Sequence, residues 1–343
     1  MSGHLLRSAG LGRRADGFTL IELMVALLLG LIVIGGVSSV FLAGQQTYRT
    51  NDALGEVESG SRVAFELLAH DIRNAGLTGC DNSSGRVANV VNPPDPWYAD
   101  WNNALHGYDD ASTDPALTGL GTSGAGSPVA KTSSVHVIST ASLDITVSSV
   151  PSANAANFNI NAATSQLNTG DLIMLCDFDH ATILQIDVYD GTNTVVIHNT
   201  GNKVNPGNCS KGLGFPTDCG SANGNAYSFP PNSRVAKLTA AVWYIGNNSV
   251  GGKSLYRLNA VSSSAGITPT TQEMVRNVNN MTISYLQPSN TAFGTAAGVT
   301  NWAVTNAAQI QLTLQSTNQK ASVNAAPITR TFTSTTTVRN RVQ

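Results

Sequence analysis

Four sets of residues in this chain carry side chains that could do chemistry. Asp177, Asp179 and His180 follow Cys176 in "LCDFDHATI". In a strand the two carboxylates would share a face and could hold a cation or act as an acid and base pair; they serve equally well as polar loop residues. Asp187, Asp190 and Asn193 fit a D-G turn that needs no ligand, and they lack the oxygen spacing of a calcium loop. Cys80, Cys176, Cys209 and Cys219 contain no C-x-x-C pair, which argues against zinc. No G-x-S-x-G, H-E-x-x-H or P-loop occurs. The expectation is a protein with no catalytic residues, no metal and no cofactor. The fourth set is a single carboxylate, Glu22, inside the apolar stretch "GFTLIELMVA" (17–26). A carboxylate in hydrocarbon costs about 2.5 to 3.5 kcal/mol on insertion scales, so its chemistry is charge pairing and it needs a partner.

The elements that position these residues follow from composition and pattern. The 343 residues are 41% hydrophobic, enough to bury a core in one large or two small domains. Charged residues make up 12% and the net charge is −2, so no basic field is present to hold nucleic acid. From about residue 79 onward Ser, Thr, Asn and Gly dominate, which suits strands and turns in a β-rich extracytoplasmic domain.

The N-terminus reads as a polar leader with Arg7, Arg13 and Arg14, then an apolar run from Phe18 to Ala43. At about 1.5 Å per residue a helix of that length crosses the ~30 Å hydrocarbon core. The arginines before the run place the leader in the cytoplasm and the remainder outside. A secretory signal peptide would need small residues after the apolar core; Val37 and Ser39 are mediocre, and the apolar run is too long. A plain signal anchor gives no reason for Glu22.

The unbroken run Gly17, Phe18, Thr19, Leu20, Ile21, Glu22, Leu23, Met24, Val25, Ala26 resembles the class III signal of type IV prepilins and pseudopilins. The resemblance implies that prepilin peptidase cuts between Gly17 and Phe18 and methylates the new amine of Phe18, so the anchor survives cleavage. It also implies a partner for Glu22: the N-terminal ammonium of a neighbouring subunit, so that two costly charges become one pair. Two further stretches, "HDIRNAGLTGC" (70–80) and "GDLIMLCDFDHATILQI" (170–186), and the closing "ITRTFTSTTTVRNR" (328–341), are similar to the PilW-type minor pilins.

This resemblance implies a pilin-like α+β fold, with a long N-terminal helix, half membrane-spanning and half amphipathic, on an antiparallel β-rich domain. The segments are a cleaved leader (1–17), the helix (18–78) and the β-rich domain (79–343). The implied function is a minor pilin in type IV pilus assembly, priming at the tip; the alternative is a minor pseudopilin of a type II secretion system. Implied partners are prepilin peptidase, other minor pilins, the major pilin, inner-membrane lipid and a tip adhesin. The implied location is the inner membrane, with the domain in the periplasm, and then the pilus. A stand-alone bitopic receptor is a third class, in which Glu22 would be dispensable.

Helical periodicity extends the helix to about residue 76. Leu54, Val57, Ser61, Ala64, Phe65, Leu68, Ile72 and Ala75 share an arc of roughly 100°. Glu58 and Arg62 have favourable i, i+4 spacing, and Gly76 is a C-terminal stop. Gly30, Gly35 and Gly36 each weaken the helix by about 1 kcal/mol relative to Ala, or serve close packing in the membrane. Beyond it, Thr182–Tyr189 and Thr194–His198 read as a hairpin turning at Asp190–Gly191. Strands are expected at 235–244, 281–285, 310–314 and 328–332, and loops at 92–103 and 111–130. In an oxidising periplasm the even number of cysteines favours disulfides. Cys209 with Cys219 is the local pair and Cys80 with Cys176 would tie the helix end to a strand, worth roughly 3 and 5 kcal/mol by loop closure.

Overall fold

The computed structural model describes residues 17–80, 85–93, 96–288 and 290–339. The leader arginines Arg7, Arg13 and Arg14 lie outside the described residues. One helix, α1 (Leu20–Asn74), precedes thirteen strands. In chain order these are β1 (Val87–Asn89), β2 (Leu105–Tyr108), β3 (Ser134–Ser149), β4 (Asn157–Ile160), β5 (Leu172–Cys176), β6 (Ala181–Gln185), β7 (Val195–Ile197), β8 (Arg234–Asn247), β9 (Lys253–Ser263), β10 (Gly266–Arg276), β11 (Val278–Leu286), β12 (Ala307–Gln315) and β13 (Thr329–Thr337). The architecture is the pilin-like α+β arrangement expected: a long apolar N-terminal helix packed on antiparallel sheets.

Thr19 caps α1, its hydroxyl accepting from the Glu22 amide at 3.3 Å. At the other end Gly76 takes the left-handed φ of +72° that a helix stop requires, and its amide donates to the Ile138 carbonyl at 2.8 Å. Between these ends the helix is continuous through Gly30, Gly35 and Gly36. Among the described residues nothing approaches the position of a Cβ at any of the three, so none of them serves packing within one subunit. Ser39 donates to the Gly36 carbonyl at 2.8 Å. Glu58 and Arg62 form no ion pair among the described residues; both are solvated, where such a pair gains little over its side-chain entropy.

The first half of α1 is bare and burial begins at Ala53. Val57, Ser61, Ala64, Leu68 and Ile72 then turn one stripe into the core, the arc that the sequence pattern predicts. They meet Leu105, Val135, Trp243, Leu255, Ile283, Tyr285, Ile310 and Leu312. At Gly60 an added Cβ would lie 3.2 Å from Leu314, so the glycine lets the helix sit close on β12.

The large sheet has ten strands and is built around β8. Along one edge β8 pairs with β3 over Val135↔Trp243 to Thr146↔Arg234. Along the other it pairs first with β5 and then with β9. The smaller sheet runs β11-β12-β13. A second core, with Phe158, Ile173, Leu175, Leu184, Val235 and Phe229, lies on one side of β5 and β6. A third, with Met174, Ile183 and Leu238, lies on the other.

That double burial corrects the expected hairpin. β6 stops at Gln185 and pairs with β5, from Leu172↔Gln185 to Cys176↔Ala181, so the hairpin turn is Asp177–His180. The Asp190 turn exists, but beyond it only Val188 bridges Ile197, and β7 pairs with β4. Both faces of β6 are covered, so Ile183 and Leu184 are equally buried and period-2 alternation carried no solvent face to detect. The four other expected strands form, each longer than predicted. The stretch 111–130 is irregular, yet it buries Asp114 and Leu117.

His198, beside Phe158 in the second core, gives the fold a pH dependence. Complete burial lowers its pKa from 6.5 to about 4, and among the described residues its Nδ1 has no partner. As pH falls below 6.5 the unfolded chain binds a proton that the folded chain excludes, so stability is full above that value and is lost down to about pH 4. The loss at this site is about 3 kcal/mol. Urea unfolding of the detergent-solubilised chain at pH 7.5 and 4.5 measures it, and His198→Leu is expected to remove this part of the slope.

Candidate functional site

The feature with most to do outside the chain is the N-terminal half of α1. Gly17 and Phe18 precede the helix without regular secondary structure, and Phe18 is 81% exposed. From Leu20 to Leu42 every large apolar side chain faces outward with no partner in the chain. This is the only described helix long and apolar enough to cross a membrane, and its apolar window is unburied. So much bare apolar surface is stable only in lipid or against other helices.

Glu22 sits in the first turn. Thr19 and Glu22 occupy the first and fourth positions of the T-x-x-E pattern, in which the cap hydroxyl satisfies a free amide. The carboxylate therefore lies at the positive end of the helix dipole, which favours an anion there before any second subunit is considered. The T-x-x-E spacing of Thr19 and Glu22 is the sequence signal for this cap.

The bare half is joined firmly to the domain. Gln46 donates to the carbonyls of Ala321 and Ser322 at 2.9 and 3.0 Å, and Thr50 to Ala321 at 2.6 Å. Glu56 accepts from the Thr317 amide at 3.1 Å. Near the other end Asp71 accepts from Trp243 Nε1 at 2.8 Å and Arg257 Nε at 3.0 Å. Just past the helix Cys80 is bonded to Cys176 on β5, and Cys209 is bonded to Cys219 within the loop that precedes β8. Buried Gln185 and Asn208 hold that loop down: Gln185 N donates to Asn208 Oδ1 and Asn208 Nδ2 to Gln185 O, both at 2.7 Å.

Asp177, Asp179 and His180 come together only as the β5–β6 turn. Asp177 Oδ1 accepts from the amides of Asp179 and His180 at 2.9 and 2.8 Å, and its Oδ2 from the Tyr227 hydroxyl at 2.8 Å. Asp179 pairs with Arg86 at 3.0 Å. His180 stacks on Tyr227 at 4.1 Å and bonds the Leu213 carbonyl through Nε2 at 2.8 Å; burial lowers its pKa. The carboxylates are thus engaged in turn and surface bonds. Asp190 accepts from the Thr192 amide at 2.9 Å and from Asn193 at 3.0 Å, and the Thr192 amide holds its pKa down. Asp187 bonds Ile197 through its backbone. Among the described residues no group of three His, Cys, Asp or Glu side chains could hold a metal ion.

A polar knot with no local sequence signal lies under the 111–130 segment. Asp114, fully buried, accepts from Ser134 Oγ at 2.6 Å, from His136 Nε2 at 2.8 Å and from the Ala116 amide at 2.9 Å. Serine and histidine both point at the carboxylate, so no nucleophile–base pair arises.

The family model described as the prokaryotic N-terminal methylation motif matches residues 12–38. No curated protein matches the chain. The match covers the signal and the start of the apolar helix alone; it supports a class III prepilin-like protein of the type IV pilin or pseudopilin kind, and such a signal implies processing by prepilin peptidase, anchoring through the apolar helix and association with pilin components.

Proposed function

We propose that this chain is a minor pilin of the PilW type, a structural and non-catalytic subunit that primes type IV pilus assembly at the tip. Prepilin peptidase cuts between Gly17 and Phe18, Phe18 is N-methylated, and Glu22 receives the ammonium of the next subunit. The observation that carries this reading is the bare, capped half-helix behind a methylation signal, joined to a domain spanning residues 79–343. A domain of that bulk is hard to repeat along a close-packed shaft but is accommodated at an end.

Glu22 supplies the mechanism. A carboxylate waiting in the membrane lowers the cost of moving the charged amine of the next subunit out of it, which favours initiation over elongation. Deleting the protein is expected to reduce the number of pili more than their length, as counted by electron microscopy. Glu22→Ala is expected to reproduce part of that loss while the chain remains processed and inserted. Normal pilus numbers in the deletion strain, or the chain at a stoichiometry near that of the major subunit, would sink the priming role. Gene neighbourhood separates a pilus from a type II secretion system.

A further inference from the structure

The sheet edges of the domain are not alike. β1 and β7 are three residues long and β2 and β4 four, too short to template a partner. β10 is long, but it carries Pro269 and a register shift between Glu273 and Val275, two devices that block pairing at an edge. The outer edge of β11 is covered: Ser133 N donates to the Met281 carbonyl at 2.8 Å, and Tyr285 is bridged to Gly294. Among the described residues β13 has none of these protections. It is nine residues long, pairs with β12 without a register shift, and contains no proline.

The ladder fixes which groups of β13 point outward. Ser316 N donates to the Ile328 carbonyl and Val338 N to the Asn306 carbonyl, both at 2.8 Å. With an unbroken antiparallel register between them, the even-numbered residues of β13 bond β12, and the odd-numbered ones direct amide and carbonyl away from it. The odd positions are Thr329, Thr331, Thr333, Thr335 and Thr337, all exposed. Among the described residues nothing pairs with the backbone of Thr331, Thr333 or Thr335.

We infer that the outer edge of β13 is an assembly surface that accepts an extended segment from a different pilin-like subunit as an added strand. This rests on the assembly reading above. The occupant follows from position, because β13 flanks the docked half of α1 and the 316–328 loop before it is gripped by Gln46 and Thr50 where the bare half departs. A subunit whose helix lies against that bare half brings its own domain to this edge. A second copy of this chain does not fit in the antiparallel sense: pairing two β13 edges that way needs a twofold normal to the sheet, which would reverse α1 in the second copy and forbid one membrane for both. Exposed Arg330 and Arg339 at the two ends of the edge favour a segment with acidic flanks.

The test uses the full-length chain in producing cells, with a photoreactive benzoylphenylalanine at Thr335. Illumination is expected to join it to another subunit whose N-terminal peptide shows prepilin processing, through one extended segment. Thr333→Pro removes an outward amide without costing a bond to β12, and is expected to lower that adduct and the chain's recovery in sheared pili at least about tenfold. Thr333→Val keeps the amide and is expected to behave as the parent. Adducts made only with a second copy, or Thr333→Pro recovered at the parent level, overturn strand addition while leaving the assembly reading in place. Absence of the parent chain from pili overturns both.

Discussion

Gly17→Glu is expected to leave the chain entirely at precursor mass, with the leader still attached. A protease that cuts after a small residue has no room for a long anion at that position, and the remaining signal is unchanged. Phe18 then never becomes an N-terminus, no ammonium or methyl group forms there, and the pairing proposed for Glu22 loses the new terminus of this subunit. Insertion is expected to persist, because the apolar run from Leu23 to Gly44 is untouched. Immunoblotting of membranes separates the two masses. Mature-sized chain in the variant would return an ordinary signal peptide to consideration.

The second large effect lies far from the membrane. Asp114→Ala removes the shared acceptor of Ser134, His136 and the Ala116 amide, leaving two buried side-chain donors and one half-buried amide without their partner. Breaking a buried network of this kind costs about 3 to 5 kcal/mol. The urea midpoint of the solubilised chain is expected to fall accordingly, whereas Asp114→Asn, which keeps one acceptor oxygen, is expected to lose less. Equal stability of Asp114→Ala and the parent would show that water reaches the site.

How much of this was legible in the sequence depended on the range of the interaction that decides each element. The helix, its buried stripe and the Gly76 stop rest on neighbours three or four residues apart, and those were readable. The strand β3 was not: "SVHVISTASLDITVSS" (134–149) mixes small polar and β-branched residues without a clean period, and it is held by pairing with β8 about a hundred residues away. The β9–β10 hairpin hid behind Pro269, which marks an edge strand as readily as a loop. The Asp190–Gly191 turn forms where its residues predict one, but the partner of β6 is set by burial on both faces. Asp114 and Asn208 look like loop residues because their partners lie far along the chain. At the assembly site the legible part was the local pattern from Gly17 to Glu22; the open edge of β13 emerges only once its neighbours are placed.

The way α1 is attached also determines how the protein carries mechanical load. Tension applied at the N-terminal end runs along the helix axis, and the stripe from Ala53 to Ile72 lies parallel to it. The contacts to Ala321, Leu314 and Trp243 are therefore strained together, in shear, and cannot be peeled off one at a time. The Cys80–Cys176 bond just beyond the helix keeps the far end from sliding after the rest has yielded. A chain built in this way transmits a pull at its N-terminus into its domain as a rigid strut, and reduction of that one bond would turn the strut into a tether.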